Sequence, residues 1–222
     1  MSKPILVAGY HPMSLIDYPG KVAAVIFLAG CNLRCHYCHN PQLFDLRANY
    51  IPLRKVIKDL RRNRALLDAV VLTGGEPTCD PRLPSILLAL RSLGLLIKLD
   101  TNGTRPAVVR SLVAAKLVDY VALDIKATPA KHLAITGAPM TPVLQTAKYL
   151  RAQNQIPYMF RTTLSPQLTA EDLVEIGQTI IDGAPVWQIQ QCRVSGAYSA
   201  EIVQKMANAV KKYAQHVVVK GL

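Results

Sequence analysis

No run in this 222-residue chain is long enough to cross a bilayer, although half of its residues are hydrophobic. A membrane-spanning helix needs about 20 consecutive apolar residues, so the apolar content is expected to serve a large internal core. The stretch Met1-Ser2-Lys3-Pro4-Ile5-Leu6-Val7 lacks the long apolar segment and small-residue cleavage site of a secretory leader. Five cysteines form an odd set, which does not suit a disulfide framework. A reducing, cytoplasmic setting is therefore expected. Acidic residues are scarce, 14 against 26 basic ones, giving a formal charge of +12. Such an excess suits nucleic acid, an anionic small molecule or an acidic protein. No interleaved aromatics or nucleic-acid-binding motif accompany the basic residues, which argues against nucleic acid. The densest basic run, residues 54–64, is threaded by Leu53, Val56, Ile57 and Leu60 at helical spacing. That pattern predicts a helix with one buried stripe, its basic residues forming either a solvated face or a docking surface. No linker or low-complexity segment interrupts the chain, so a single domain over residues 1–222 is expected.

What the chain does have is a cluster of thiols. Cys31, Cys35 and Cys38 stand at C-x3-C-x2-C spacing within one short Gly-flanked segment. Three thiolates so placed can hold three irons of a cubane [4Fe–4S] cluster, leaving the fourth iron open to a small molecule. Other readings stand beside this one. Cys35-His36-Tyr37-Cys38-His39 also spells the haem c attachment pattern, which requires export. Zinc can take three cysteines with His36 or His39, though zinc modules usually sit in small polar domains. Buried structural cysteines are a third option, but three within eight residues at a turn make a poor core element. Cys79 and Cys192 are isolated and read as small buried apolar groups. His11, His132 and His216 carry no motif and read as solvent-facing or structural.

The order of elements places the loop. Lys21–Ala29 reads as a buried strand ending at the cysteines. A helix over residues 53–64 leads to a strand at 69–72, which ends in Thr73-Gly74-Gly75-Glu76-Pro77. A helix over 82–93, stopped by Gly94, precedes a strand at 95–99 that closes in Asp100-Thr101-Asn102-Gly103. A helix from Pro106 precedes a strand at 120–123 that closes in Asp124-Ile125-Lys126. A less regular stretch with Pro129, Gly137, Pro139 and Pro142 follows, then a helix near 143–153 and a strand at 157–163 carrying Arg161. Thr169 opens a helix, 186–190 form a sixth strand, and a long helix is expected over 199–215, with a short final strand at 216–220. Alternating strands and helices predict an α/β fold with a parallel sheet. The polar signatures recur at the C-terminal ends of strands, where such folds build active sites. Six βα units are too few for a full eight-stranded barrel, so a partial (βα)6 TIM-like barrel with a lateral opening is expected.

The C-x3-C-x-aromatic-C loop followed by Gly-Gly-Glu-Pro after the next strand resembles the radical S-adenosylmethionine enzymes, over nearly the whole chain. The resemblance implies a [4Fe–4S] cluster on Cys31, Cys35 and Cys38, with the methionine part of S-adenosylmethionine on the open iron. It also implies reductive cleavage to methionine and a 5′-deoxyadenosyl radical; the cofactor carries the chemistry, and the protein supplies position and dryness. Gly74 and Gly75, lacking Cβ, let backbone approach a ligand closely, with Glu76 supplying negative charge. Tyr37 sits where the family places an aromatic against adenine. Asp100 and Asn102 suit ribose or an ordering cation, while Asp100 equally suits a turn at a strand end. Asp124 and Lys126 point to one side of their strand, and in the related activases such residues meet the methionine carboxylate and a monovalent cation. Arg161 suits a carboxylate or ribose contact, or a salt bridge.

Ser14-Leu15-Ile16-Asp17-Tyr18-Pro19-Gly20-Lys21, together with Tyr37-Cys38-His39-Asn40-Pro41, resembles the glycyl-radical-enzyme activating enzymes. The nearest branch activates anaerobic ribonucleoside-triphosphate reductase, and pyruvate formate-lyase activases are near relatives. This resemblance implies a glycyl radical enzyme as partner, with flavodoxin or ferredoxin as electron donor. The positive charge would then suit an acidic docking surface on the partner. No cysteine-rich insertion between Cys38 and Asp68 and no C-terminal cysteine set provide a second cluster. The remaining alternative within the family is an enzyme acting on a small molecule, of the 7-carboxy-7-deazaguanine synthase kind.

Overall fold

The apolar runs that begin near Ala23, Ala69 and Leu96 become neighbouring parallel strands, because a strand covered on both faces must be apolar on both. The computed structural model describes residues 5–44, 50–193 and 196–221, with Leu6 and Phe44 described by backbone alone. The chain folds as two compact units, residues 1–32, 40–101 and 107–121 in one, residues 33–39, 102–106 and 122–222 in the other. Neither is a continuous stretch, so no single cut in the sequence separates them.

The first unit contains β1 (Leu6–Val7), β2 (Gly9–Ser14), β3 (Ala23–Leu28), β4 (Ile51–Pro52), α1 (Leu53–Arg62), β5 (Ala69–Gly74), α2 (Leu83–Arg91), β6 (Leu96–Thr101) and most of α3 (Pro106–Ala114). Its main strands lie in the order β2-β3-β5-β6. β3 and β5 pair in parallel from Ala23↔Ala69 to Leu28↔Gly74, so both end at the same level, and β6 continues in parallel beside β5. Ala69, Val70, Val71 and Leu72 are fully buried. α1 buries Leu53, Val56 and Leu60 at helical spacing, while Ile57 is only half-buried. The expectation of a wholly parallel sheet is corrected at β2, which pairs antiparallel with β3. Pro12, which has no N–H for the ladder, sits where that register shifts between His11 and Ser14. This interruption hides β2 from a reading based on alternation.

The second unit contains the end of β7 (Tyr120–Asp124), α4 (Pro129–Thr136), α5 (Thr141–Ala152), β8 (Tyr158–Leu164), α6 (Ala170–Ile176), β9 (Ala184–Gln191), α7 (Ala200–Ala209) and β10 (Ala214–Lys220). Its strands lie in the order β7-β8-β9-β10, with β8, β9 and β10 parallel. Trp187, fully buried, donates its indole N–H to Thr162 Oγ1 at 3.0 Å and locks β9 against β8. The Thr169 expectation holds as a full capping box with Asp172. Two boundaries differ from expectation. The stretch after Lys126 contains a true helix, α4, opened by Thr128 and Pro129 and closed by left-handed Gly137. The last helix stops at Ala209 instead of 215, because Tyr213 is buried and Ala214 onward pairs in parallel with β9. The α/β architecture expected of the chain, parallel strands alternating with helices, is present in both units. Among the described residues, no helix is long and apolar enough to cross a membrane.

Candidate functional site

In the first unit the Gly-Gly-Glu-Pro motif is joined to the segment that carries Cys31. Gly75 N–H donates to Leu28 O and Glu76 N–H to Gly30 O, both at 2.8 Å, extending the β3–β5 ladder past the strand ends. A Cβ on Gly74, whose φ is +116°, would lie 2.3 Å from Leu28 O. A Cβ on Gly75 would lie 1.9 Å from Gly30 O. No such contact is tolerable between backbone atoms, so the first reason for both glycines is the approach of one strand end to the next. Glu76 is buried, and its Oε1 accepts from Thr78 N at 3.1 Å, from the Thr78 hydroxyl, and from Thr101 Oγ1 at 2.7 Å. The motif carboxylate thus ties the end of β5 to the end of β6. Asp100 is buried in an ion pair with Lys98, two residues earlier on the same face of β6. Lys98, Thr78 and Thr101 escaped the sequence reading; a lone lysine in an apolar strand two residues before an aspartate was the available signal.

The second unit holds the other half of the cysteine segment, Leu33–His39. Tyr37 is buried among Ala127, Ile135, Leu168 and Cys192, with Cys35 packed against the same cluster. The Cys38 N–H closes a turn on Cys35 O at 3.1 Å. His39 Nε2 accepts from Arg193 N–H at 3.2 Å and lies 3.7 Å from Cys192 Sγ, while His36 Nδ1 lies 3.3 Å from Gln167 Nε2. Both histidines weighed as zinc ligands therefore have protein partners here. Cys192 is buried as expected, whereas Cys79 is only half-buried, a correction to its reading as a core group. His132 is buried, which excludes the solvent-facing reading. Asn102 Oδ1 accepts from Thr104 N and Oγ1 at 3.0 and 2.6 Å, an Asx turn ahead of α3.

At the end of β7, Asp124 accepts from Arg161 Nε at 2.6 Å and from Lys126 Nζ at 3.1 Å. The salt-bridge alternative for Arg161 is thus realised within the candidate site. Burial works to raise the Asp124 carboxyl, but Arg161 and Lys126 outweigh it and hold the group far below the usual carboxylate range. Burial likewise opposes the charge on Lys126, and Asp124 overcomes it, with Tyr37 and Cys35 adding to the effect. Two cations thus share one carboxylate, and Lys126 acts on Cys35 and Tyr37 of the cysteine segment. Burial pushes the Cys35 thiol up, and Lys126 pulls against that rise.

This triad gives a pH prediction. A carboxyl depressed in the folded state contributes stability that is complete above its unfolded pKa of about 3.9. That contribution shrinks as pH falls below this value toward the folded pKa. Asp124→Asn should cost about 3 kcal/mol at pH 7, since it removes the carboxylate that both Lys126 and Arg161 contact. Urea midpoints should show the gap to wild type narrowing once the pH falls below about 4. Part of it should persist at pH 3, because the folded carboxyl is still charged there; a gap as wide at pH 3 as at pH 7 would deny the carboxylate its role.

The donor set fits an iron–sulfur cluster. All of Cys31, Cys35 and Cys38 are free thiols, partly exposed. Among the described residues, no three His, Cys, Asp or Glu side chains gather closely enough to hold a single metal ion; a cubane does not need this, because each cysteine binds a different iron. The Tyr37 hydroxyl is buried without a hydrogen-bond partner among the described residues, as expected beside a site built for another group.

Comparison with known proteins adds four findings. The family described as the radical SAM superfamily matches residues 25–180. A Methanocaldococcus jannaschii protein, provisionally named a glycyl-radical enzyme activating enzyme, is 32% identical over 98% of this chain and 96% of its own length. The pyruvate formate-lyase-activating enzyme of Staphylococcus epidermidis is 30% identical over 76% of this chain and 72% of its own. Among solved structures, Streptococcus suis SuiB bound to its precursor peptide SuiA superposes with a TM-score of 0.73 at 17% identity. That match covers 89% of this chain but 48% of SuiB, so this chain spans about half of that protein and shares its fold.

Proposed function

The chain belongs to the radical SAM superfamily, and from that premise we propose that it activates a glycyl radical enzyme. The observation that carries this reading is the 32% identity to the M. jannaschii protein across nearly all of both chains. Membership in the family implies a [4Fe–4S] cluster and S-adenosylmethionine. Cys31, Cys35 and Cys38 would hold the cluster, which when bound supplies the electron for cleaving the sulfonium. Lys126 and Arg161 offer positive charge to the methionine carboxylate, and Asp124 orients both by its short contacts to each. A monovalent cation would share Asp124. The backbone of Gly74–Glu76 would meet the methionine ammonium, with the Glu76 side chain keeping that backbone in place through Thr78 and Thr101. Tyr37 would lie against adenine, and Asn102 and Asp100 at the ribose.

The partner we propose is anaerobic ribonucleoside-triphosphate reductase, supported by the residues 14–21 and 37–41 already described. A pyruvate formate-lyase is the second reading, favoured by the 30% identity to the staphylococcal activase. A flavodoxin or ferredoxin would supply the electron. The test is anaerobic incubation with S-adenosylmethionine, reduced flavodoxin and each candidate partner, read by the glycyl radical signal in electron paramagnetic resonance. A radical on the reductase and none on the lyase is expected. Turnover of a small molecule with no radical on either protein would overturn the activase reading.

Charge offers a second readout of the same experiment. The basic run separates into two kinds of residue. Arg64 donates to Leu93 O, Leu67 O and Gly94 O and so serves the fold, whereas Arg62 makes only a solvent-exposed pair with Asp59. Arg54, Lys58 and Arg61 are exposed on α1 and are the better candidates for an acidic docking surface. Activation should weaken as salt rises and as these three become alanine. S-adenosylmethionine cleavage without partner should not change. Salt-insensitive activation would remove the electrostatic docking proposal.

A further inference from the structure

The cysteine segment of the second unit leans on a helix end. α4 finishes at Thr136, with Gly137 left-handed at φ +77°. The last carbonyls of a helix have no partner inside it. Here the cysteine segment takes two of them. Arg34 N–H donates to Thr136 O at 2.9 Å, and His36 N–H donates to Ile135 O at 3.4 Å. Cys35 lies between these two donors, so its place follows the direction in which α4 ends.

His132 packs at that helix end. The side chain is buried, and Nδ1 lies 2.9 Å from Ala138 O. A carbonyl only accepts, so Nδ1 carries the proton. The Thr136 hydroxyl donates to His132 O at 2.8 Å and receives the Ala138 N–H at 3.3 Å. These bonds fold Gly137 and Ala138 back over the last turn of α4. The Ile135 and Thr136 carbonyls are left for the cysteine segment.

We propose that His132, acting with Thr136, is a positioning residue for Cys35 and its neighbours. It touches neither the cluster nor the reacting atoms; it acts by aiming two backbone acceptors. The inference rests on the proposed reading of Cys35 and Cys38 as cluster ligands. Losing the His132 donor strands the Ala138 carbonyl and frees the helix end to move, which loosens the loop without removing a ligand.

The test compares the full-length protein, reconstituted anaerobically, with His132→Phe, His132→Asn and Thr136→Val. Phenylalanine keeps ring volume without a donor, asparagine keeps an N–H near the place of Nδ1, and valine keeps shape without a hydroxyl. The readouts are the rate at which a chelator bleaches the cluster and the paramagnetic signature of the reduced cluster. His132→Phe should bleach about tenfold faster, the scale of one lost buried hydrogen bond. Thr136→Val should move in the same direction, and His132→Asn should stay within about threefold of wild type. Circular dichroism should be unchanged in all three. Wild-type bleaching and signature in folded His132→Phe and Thr136→Val would overturn the proposal. If His132→Phe does not fold, Thr136→Val decides between these outcomes. A wild-type protein that takes up no cluster would instead overturn the underlying reading, and that shows before any variant is made.

Discussion

Cys35→Ala should leave a folded protein that binds less than the about four irons of a complete cubane and cleaves no S-adenosylmethionine. Cys31→Ala and Cys38→Ala should behave alike, because a cubane with one thiolate missing loses an iron attachment as well as its position. Cys79→Ala and Cys192→Ala should keep both iron and cleavage. Cys192 is the stringent control. It is 2% exposed and packs in the same cluster as Tyr37 and Cys35, with His39 3.7 Å from its sulfur. A thiol so close to the proposed ligands is the natural rival for one of their places. Iron analysis and product analysis on the five single variants decide the matter. Equal loss of iron in Cys192→Ala or Cys79→Ala would mean that the ligand set is wrong.

Gly75→Ala is expected to be the most damaging substitution that leaves every polar group in place. The added Cβ would lie 1.9 Å from Gly30 O and 2.5 Å from the Gly30 carbonyl carbon. Both are backbone atoms, so no side-chain rotation relieves the clash. The two strand ends must part, breaking the Gly75–Leu28 and Glu76–Gly30 hydrogen bonds and shifting the segment that carries Cys31. The stability cost should be about 3 kcal/mol, the upper end for overpacking a tight site. Cleavage of S-adenosylmethionine should fall by about 100-fold, as small displacements of reacting groups commonly cost. Gly20→Ala supplies the contrast. Gly20 has φ +67° with nothing within 4 Å of an added Cβ, so only the left-handed backbone cost of about 1–2 kcal/mol applies. Urea midpoints and cleavage rates on both variants separate crowding from backbone strain. Comparable activity losses in the two would show that the approach to Gly30 is not what the motif needs glycine for.

The strands were legible because burial on both faces forces an unbroken apolar run, as at Ala69–Leu72. β2 was not, because Pro12 and its irregular register erase the alternation that marks a half-buried strand. α4 is hidden for the opposite reason. Its Pro129 and Gly137 look irregular in the sequence, although proline in the first turn and glycine just past the last are the ordinary ends of a helix. The sequence predicts too long an α7, since nothing local tells a helical Lys-Lys-Tyr from one whose tyrosine is needed in the core. In the sequence Arg64 is indistinguishable from its basic neighbours, and only its three carbonyl acceptors separate it from them.

Within the candidate site, the division follows the reach of each interaction. Thiol spacing, paired glycines and residues alternating on a strand are local properties, so the cysteine set, Gly74–Gly75 and the shared side of Asp124 and Lys126 could be read from residues alone. Partners distant in the chain could not. Thr101 meets Glu76 from 25 positions away, and Arg161 meets Asp124 from 37. Those contacts set whether a carboxylate stays charged, which side chain it holds and what it leaves open to a ligand. A sequence pattern carries the period of an element and the chemistry of its residues, whereas a hydrogen bond between elements exists only once folding has brought its donor and acceptor into contact. The bonds from Arg34 N–H and His36 N–H to the end of α4 belong to this second kind: backbone groups make them, and every residue type but proline carries the same donor and acceptor.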